Sequence, residues 1–127
     1  MISYHIEPNL SLAEFTQILK SSTLAQRRPS AEKTLSGMLK NADIIITARD
    51  GEKLVGVSRA ISDFSYCTYL SDLAVDVAYQ KQGIGQELIN RTKAEAPEAK
   101  LILLSAPAAL RYYPKIGMTQ FEHCFYL

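Results

Sequence analysis

The chain has 127 residues, of which 47% are hydrophobic, and its formal net charge is +1 at neutral pH. This length fits one domain with a single core, residues 1–127, and so small a net charge gives no electrostatic case for a nucleic acid or a membrane surface as the main partner. No stretch approaches the roughly 20 apolar residues that a membrane span needs, and we expect no secretion signal.

The first half of the chain predicts a strand, two helices and a β-hairpin. These elements are a strand over 2–6, a helix capped by Asn9 or Ser11, a second helix from Ser30 through Leu39, and strands over 43–49 and 53–61. Ser11 and Glu14 have the spacing of a capping box, which marks a helix start. Asp50-Gly51 is a hairpin turn signal, and the alternation after it places Val55 and Val57 on one face of the returning strand.

The second half predicts alternating strands and helices. These are a strand over 64–76, a helix that follows a glycine-rich turn and ends at Pro97, a strand over 100–105, a helix from Ala109 that contains Pro114, and a last strand over 119–127. The run Leu101-Ile102-Leu103-Leu104 lacks polar alternation, so we expect its strand to be buried on both faces. Together the two halves predict an α/β or α+β domain with six or seven strands in a mixed sheet and four helices.

The most informative segment is Gln80-Lys81-Gln82-Gly83-Ile84-Gly85, which lies between an apolar strand and an amphipathic helix. The first N–H groups of a helix have no partner within the helix and carry partial positive charge. Gly83 and Gly85 allow an anion to approach the backbone closely, and Lys81 adds a full positive charge. The segment therefore predicts a phosphate-binding site at a helix N-terminus.

Two common glycine-rich loops do not fit this segment. A P-loop ends in Gly-Lys-Ser/Thr, which the chain lacks. A dinucleotide fingerprint needs a third glycine at the position of Leu88 and an acidic residue about 20 positions further on, and the region near Ser105 offers none. The remaining pattern is a glutamine and two glycines after a strand that ends in an apolar-Ala-Val step.

The string Leu73-Ala-Val-x-x-x-Tyr79-Gln-x-x-Gly-x-Gly85 resembles the pyrophosphate loop of the GNAT N-acetyltransferase superfamily, which binds acetyl-coenzyme A. Residues 109–118 are similar to the late helix of that family. The resemblance extends over about residues 66–118 and implies a GNAT-like α/β (α+β) fold with a mixed, mostly antiparallel sheet of six or seven strands flanked by four helices. It implies transfer of an acetyl group from acetyl-coenzyme A, as co-substrate, to an amine acceptor, either a small molecule or a peptide or protein amine. We expect this transfer to be direct, since no well-placed nucleophilic Cys or Ser appears in the sequence.

The resemblance also implies how the cofactor is held. Backbone groups of residues 73–75 would pair with the pantetheine amides, and backbone N–H groups of residues 81–86 would hold the pyrophosphate. Ser105 stands where the family usually has an asparagine and would donate a hydrogen bond to the cofactor. The expected cofactor-binding residues are Leu73, Ala74, Val75, Gln80, Lys81, Gln82, Gly83, Ile84, Gly85, Gln86 and Ser105.

Two residues are the expected catalytic groups. Tyr113 stands at the tyrosine position of the family's late helix, where its hydroxyl would protonate the departing thiolate; packing in the core is its alternative role. Asp72 on the central strand is the candidate general base, since burial would raise its pKa; a structural hydrogen-bond acceptor is the alternative. We expect Pro114 to kink the last helix and to shift Tyr113.

Other features of the sequence concern partners and location. Cys67 and Cys124 have neither metal-ligand nor disulfide-framework spacing, so we expect a cytoplasmic protein without a metal site. Arg27-Arg28 is either a solvated pair or a grip for an acidic acceptor. A homodimer, in which a partner subunit completes the sheet edge, is a further expectation. A non-catalytic domain that binds coenzyme A and regulates a partner is the main alternative to an enzyme.

Overall fold

One five-stranded sheet with helices on both faces forms the structure, a computed structural model that describes all residues from 1 to 127. The strands are β1 (Ile2–Ile6), β2 (Ile44–Asp50), β3 (Lys53–Ser62), β4 (Cys67–Val75) and β5 (Lys100–Ile102). The α-helices are α1 (Leu12–Ser21), α2 (Glu32–Lys40), α3 (Ile84–Glu95) and α4 (Tyr112–Lys115). Short 3-10 turns lie at Leu24–Arg27, Val77–Tyr79 and Pro107–Ala109.

The strands lie in the order β1-β2-β3-β4-β5. The first three neighbouring pairs are antiparallel, and β4 and β5 are parallel. The predicted mixed, mostly antiparallel sheet and the four helices are therefore confirmed, whereas the predicted number of six or seven strands is wrong. None of the helices has the length and apolar character that crossing a membrane requires.

The core is divided by the sheet into two layers. On one face α3 packs through Ile84 and Leu88 against a cluster that includes Ile46 and Val55. On the other face α1 and α2 pack against a second cluster, to which Val57 belongs. The register between β2 and β3 shifts after Ala48, so the expected placement of Val55 and Val57 on one face is wrong. A β-bulge at this point reverses the alternation of side chains.

The two N-terminal helices begin differently. The hydroxyl of Ser11 accepts a hydrogen bond from the backbone N–H of Glu14 at 3.1 Å, which confirms the predicted cap of α1. The cap of α2 is Ala31, which supplies no side-chain bond, so the predicted cap at Ser30 is wrong.

Strands β4 and β5 are both shorter than predicted. A carboxylate oxygen of Asp63 accepts hydrogen bonds from the backbone N–H groups of Ser65, Tyr66 and Cys67, and these bonds lower the pKa of Asp63 to about 2. This turn delays the start of β4 to Cys67. In β5, Ile102 is 52% exposed, so the expected burial on both faces is wrong.

The C-terminal region departs most from the prediction. No regular strand forms over 119–127, and Phe121, Phe125 and Tyr126 are exposed. The last helix has only four residues, and Pro114 is the third of them. An N–H in the first turn of a helix has no helical partner, so Pro114 removes no hydrogen bond and the expected kink does not occur. Gly117, with φ of +96°, ends the helix.

Substituting Gly56 tests how closely α3 must approach the sheet. An added Cβ would lie 3.2 Å from side-chain atoms of both Ile84 and Leu88. We expect Gly56→Ala to lower the free energy of unfolding by about 1–3 kcal/mol, measured by urea denaturation, because overpacking displaces α3. At Gly37 in α2 nothing lies within 4 Å, so Gly37→Ala is the control and should raise stability by about 0.5–1 kcal/mol. Equal effects of the two substitutions would contradict this packing.

Candidate functional site

A cleft opens where β4 separates from β5. The two strands pair only from Cys67 to Tyr69, opposite Lys100–Ile102. The register of β4 against β3 then shifts, since Ala60 pairs with Leu70 and Arg59 with Asp72. Ser71 is thus the extra residue of a β-bulge, which bends its strand. The edge of β4 that faces β5 is unpaired beyond this bulge.

Alternation along β4 determines which backbone groups face the opening. The backbone N–H of Asp76 donates to the carbonyl of Val55 at 2.9 Å, so the backbone groups of Ala74, two residues earlier, also point toward β3. Those of Leu73 and Val75 point into the cleft. The expected contact of Ala74 with a cofactor arm is therefore not supported, whereas Leu73 and Val75 are available. The carbonyl of Val75 accepts a hydrogen bond from Nε2 of Gln80 at 3.0 Å.

The glycine-rich turn presents free amides beside this edge. Lys81 and Gly83 have φ of +65° and +82°, and together they turn the chain into α3. The N–H of Glu87 donates to the carbonyl of Gly83 at 3.1 Å. The N–H groups of residues 84–86 precede this bond and have no partner within the helix. Those of Ile84 and Gly85 can receive an anion, whereas that of Gln86 faces the hydroxyl of Tyr112. The side chains of Lys81 and Gln82 are exposed.

Tyr112 lies next to these amides. A Cβ on Gly85 would be 3.0 Å from the hydroxyl oxygen of Tyr112, and the two residues line a cavity of about 420 Å³ with the glycine-rich turn. Burial raises the pKa of Tyr112, and the backbone N–H of Gln86 partly opposes this effect. This contact could not be predicted from the sequence, because the direction of a four-residue helix cannot be inferred from periodicity.

The main cleft has a volume of about 700 Å³ and runs from the free edge of β4 to the segment 22–28. Tyr113 lines it beside the 3-10 turn at Pro107–Ala109, and its hydroxyl makes no hydrogen bond within the protein. Burial, with a smaller contribution from Tyr112, raises the pKa of Tyr113 above its ordinary value. This hydroxyl therefore keeps its proton at neutral pH and is free to donate it to a ligand.

Asp72 does not line the cleft. Because of the bulge at Ser71, its side chain points toward the layer of α1 and α2, where it is fully buried. One carboxylate oxygen accepts a hydrogen bond from Nε of Arg28, and the other accepts one from Nε of Arg59. The expected role of Asp72 as general base is not supported by this geometry, because both oxygens are paired with arginines and the residue does not line the cleft.

These arginines tie the segment 22–28 to the bulge. Arg28 also donates to the carbonyls of Ser71 at 2.7 Å and Arg27 at 2.9 Å. Arg59 donates to Oγ of Ser71 at 2.9 Å and to the carbonyl of Met38 at 3.2 Å. One wall of the cleft is therefore fixed by a network centred on a buried carboxylate.

Ser105 lies outside both cavities. Its hydroxyl donates to the carbonyl of Ala106 at 2.7 Å and lines a separate cavity of about 70 Å³ behind Tyr113. The expected hydrogen bond from Ser105 to a cofactor is not supported, because the chain leaves the sheet after Ile102.

Comparisons with known proteins agree with this architecture. Residues 11–126 match the family described as the acetyltransferase (GNAT) domain. A histone acetyltransferase of Glycine max is 28% identical over 105 residues, which are 72% of this chain and 45% of that protein. The chain thus spans less than half the length of this curated relative.

Solved structures resemble the whole chain. A GNAT-family acetyltransferase of Streptococcus pneumoniae has a TM-score of 0.82 at 22% identity, covering 100% of this chain and 96% of that one. A predicted acetyltransferase of Clostridium acetobutylicum, solved with acetyl-CoA, has a TM-score of 0.73 at 15% identity, covering 100% and 96%. Because the family match extends over nearly the entire chain, the protein belongs to the GNAT family of acetyltransferases.

Proposed function

We propose that this protein transfers an acetyl group from acetyl-coenzyme A directly to an amine. One observation carries this proposal: the unpaired edge of β4 leads directly to the free amides at the start of α3. Leu73, Val75 and Gln80 line both the main cleft and the cavity at the glycine-rich turn, so one extended ligand can occupy the two. The acetyl-CoA bound to the structural neighbour from Clostridium acetobutylicum supports the same ligand.

The ligand's parts match the two cavities. The pantetheine arm pairs with the backbone groups of Leu73 and Val75 as an added strand would. Its diphosphate is held by the N–H groups of residues 81–86, with the charge of Lys81 nearby. A free N–H on the β4 edge polarises the thioester carbonyl and stabilises the oxyanion that forms there.

Tyr113 supplies the proton for the leaving group. The amine nitrogen attacks the thioester carbon, a C–N bond forms and the C–S bond breaks. The departing thiolate takes the proton of the Tyr113 hydroxyl, which solvent then restores. Transfer is direct, because neither Cys67 nor Cys124 lines the cleft to act as a nucleophile.

The amine loses its proton to water rather than to a side chain. No carboxylate or histidine is among the residues that line the main cleft. Asp72, the expected base, is held by two guanidinium groups and positions Arg28 instead. The acceptor therefore reacts through its own neutral fraction, which favours amines of low pKa.

Assembly and location are further parts of this proposal. The outer edge of β5 is free and residues 119–127 are exposed, which supports a homodimer that covers this edge. A cytoplasmic location agrees with two free cysteines.

The direct test is thiol release from acetyl-coenzyme A with a panel of amines, together with calorimetric titration of coenzyme A. The enzyme hypothesis predicts both binding and turnover. Binding without turnover across the panel would favour the alternative, a regulatory domain that binds coenzyme A. Absence of binding would contradict both.

Replacing Tyr113 with phenylalanine tests the proton donor. We expect Tyr113→Phe to lower kcat about 100-fold, because the thiolate must leave unprotonated, with little change in the affinity for acetyl-coenzyme A. Steady-state kinetics and calorimetry measure the two quantities. Tyr112→Phe is the matched control: its hydroxyl lies at Gly85, so it should affect cofactor affinity more than kcat. An unchanged kcat in Tyr113→Phe would remove this residue from the chemistry.

Gly83→Ala tests the diphosphate site. Gly83 and Gly51 both have positive φ, +82° and +62°, with nothing within 4 Å of an added Cβ. Each substitution to alanine should cost about 1 kcal/mol of stability through backbone strain. Only Gly83→Ala should also weaken coenzyme A binding, about tenfold, because it distorts the amides that face the phosphates. Equal affinities in the two variants, measured by calorimetry, would place the diphosphate elsewhere.

A further inference from the structure

The part of the main cleft farthest from the glycine-rich turn is bordered by the segment 22–28. Among the residues that line the whole cleft, only Arg27 and Arg28 are charged, and no acidic side chain is present. A site for a polycationic amine would require carboxylates, so the charge of this wall is a constraint on the acceptor.

Arg28 is a fixed donor on this wall. A guanidinium has five N–H groups, and the hydrogen bonds of Arg28 to Asp72, Ser71 and Arg27 use three of them. Its side chain is 21% exposed, so part of the group remains open to the cleft. Because its position is set by a buried carboxylate, little conformational freedom is lost when it binds a ligand.

The local charge is positive even after pairing. Asp72 carries one negative charge against the two positive charges of Arg28 and Arg59. Arg27 adds another positive charge, is exposed, and forms no ion pair or side-chain hydrogen bond within the protein. An anionic group at this wall would therefore satisfy donors that the protein leaves open.

We propose that the acceptor is a small amine that carries a carboxylate, and that Arg27 and Arg28 hold this carboxylate while the amine faces the thioester. This inference rests on the proposed acetyl transfer and specifies its substrate class. Acceptor specificity thus comes from one pair of residues in a cleft that has no base.

Pairs of acceptors that differ only in charge test the proposal. We measure kcat/KM for 4-aminobutanoate against 4-aminobutanamide, and for glycylglycine against glycylglycinamide, with spermidine as a polycation. We expect at least one carboxylate to exceed its amide about tenfold and spermidine to be the poorest acceptor. Turnover with equal use of acid and amide, or with spermidine preferred, overturns the inference and leaves the proposed acetyl transfer standing.

Arg27→Gln identifies the residue responsible. We expect it to raise KM for the carboxylate acceptor about tenfold, while kcat and the affinity for coenzyme A change little. Arg91→Gln on α3 is the control, since it removes the same charge from a surface pair with Glu87 outside the cleft. An equal rise in the KM for the carboxylate acceptor in Arg27→Gln and Arg91→Gln overturns the assignment to Arg27.

A binding measurement covers the case without turnover. Titration of 4-acetamidobutanoate and of its amide into the coenzyme A complex should give tighter binding of the acid, and Arg27→Gln should remove the difference. If neither compound binds while coenzyme A does, the carboxylate site is refuted; if coenzyme A itself fails to bind, the proposed function fails.

Discussion

The bulge at Ser71 is the constraint on which the rest of the site depends. One extra residue in β4 bends the strand away from β5 after only three paired positions. The separation leaves the backbone groups of Leu73 and Val75 without a strand partner. A ligand with amide groups can then complete the sheet where the protein does not.

The same bulge reverses the alternation of side chains along β4 and so decides the face of the sheet on which Asp72 lies. Asp72 turns toward α1 and α2, where it is completely buried and is paired with Arg28 and Arg59. Removing one partner of a buried ion pair costs about 3–5 kcal/mol, so this network holds its members firmly. The carbonyl and hydroxyl of Ser71 accept two further hydrogen bonds from the arginines. The bend that exposes the edge of β4 therefore also anchors the segment 22–28 on the opposite side of the cleft.

The features predicted well from the sequence are those with a local chemical signature. Ser11 caps α1 because its side chain reaches an N–H three residues on, and Gly83 marks the entry to α3 because its φ is positive. The bulges have no such signature: Ser71 and Val55 are ordinary strand residues. Alternation predicted Val55 and Val57 on one face, and a one-residue shift reverses that alternation; the similar shift at Ser71 decides which way Asp72 points. For this reason the glycine-rich turn into α3 could be foreseen, while the burial of Asp72 and its contact with the segment 22–28 could not.

The short C-terminal elements are a second part of the fold that could not be predicted from the sequence. The predicted strand over 100–105 ends at Ile102 because β4 has already turned away, and nothing remains for the following residues to pair with. Ser105 then lies in a separate cavity, and Tyr112 rather than Ser105 lines the cavity at the glycine-rich turn. Both changes follow from the shape of the neighbouring strand, which residue-by-residue propensity does not describe.

Backbone amide shifts on adding coenzyme A would test the central claim most directly. In heteronuclear NMR spectra of the labelled protein, we expect the largest changes at the N–H groups of Leu73, Val75 and residues 81–86. If these signals stay fixed while those around the cavity bordered by Tyr4 and Arg91 move, the opening between β4 and β5 is not where the cofactor binds.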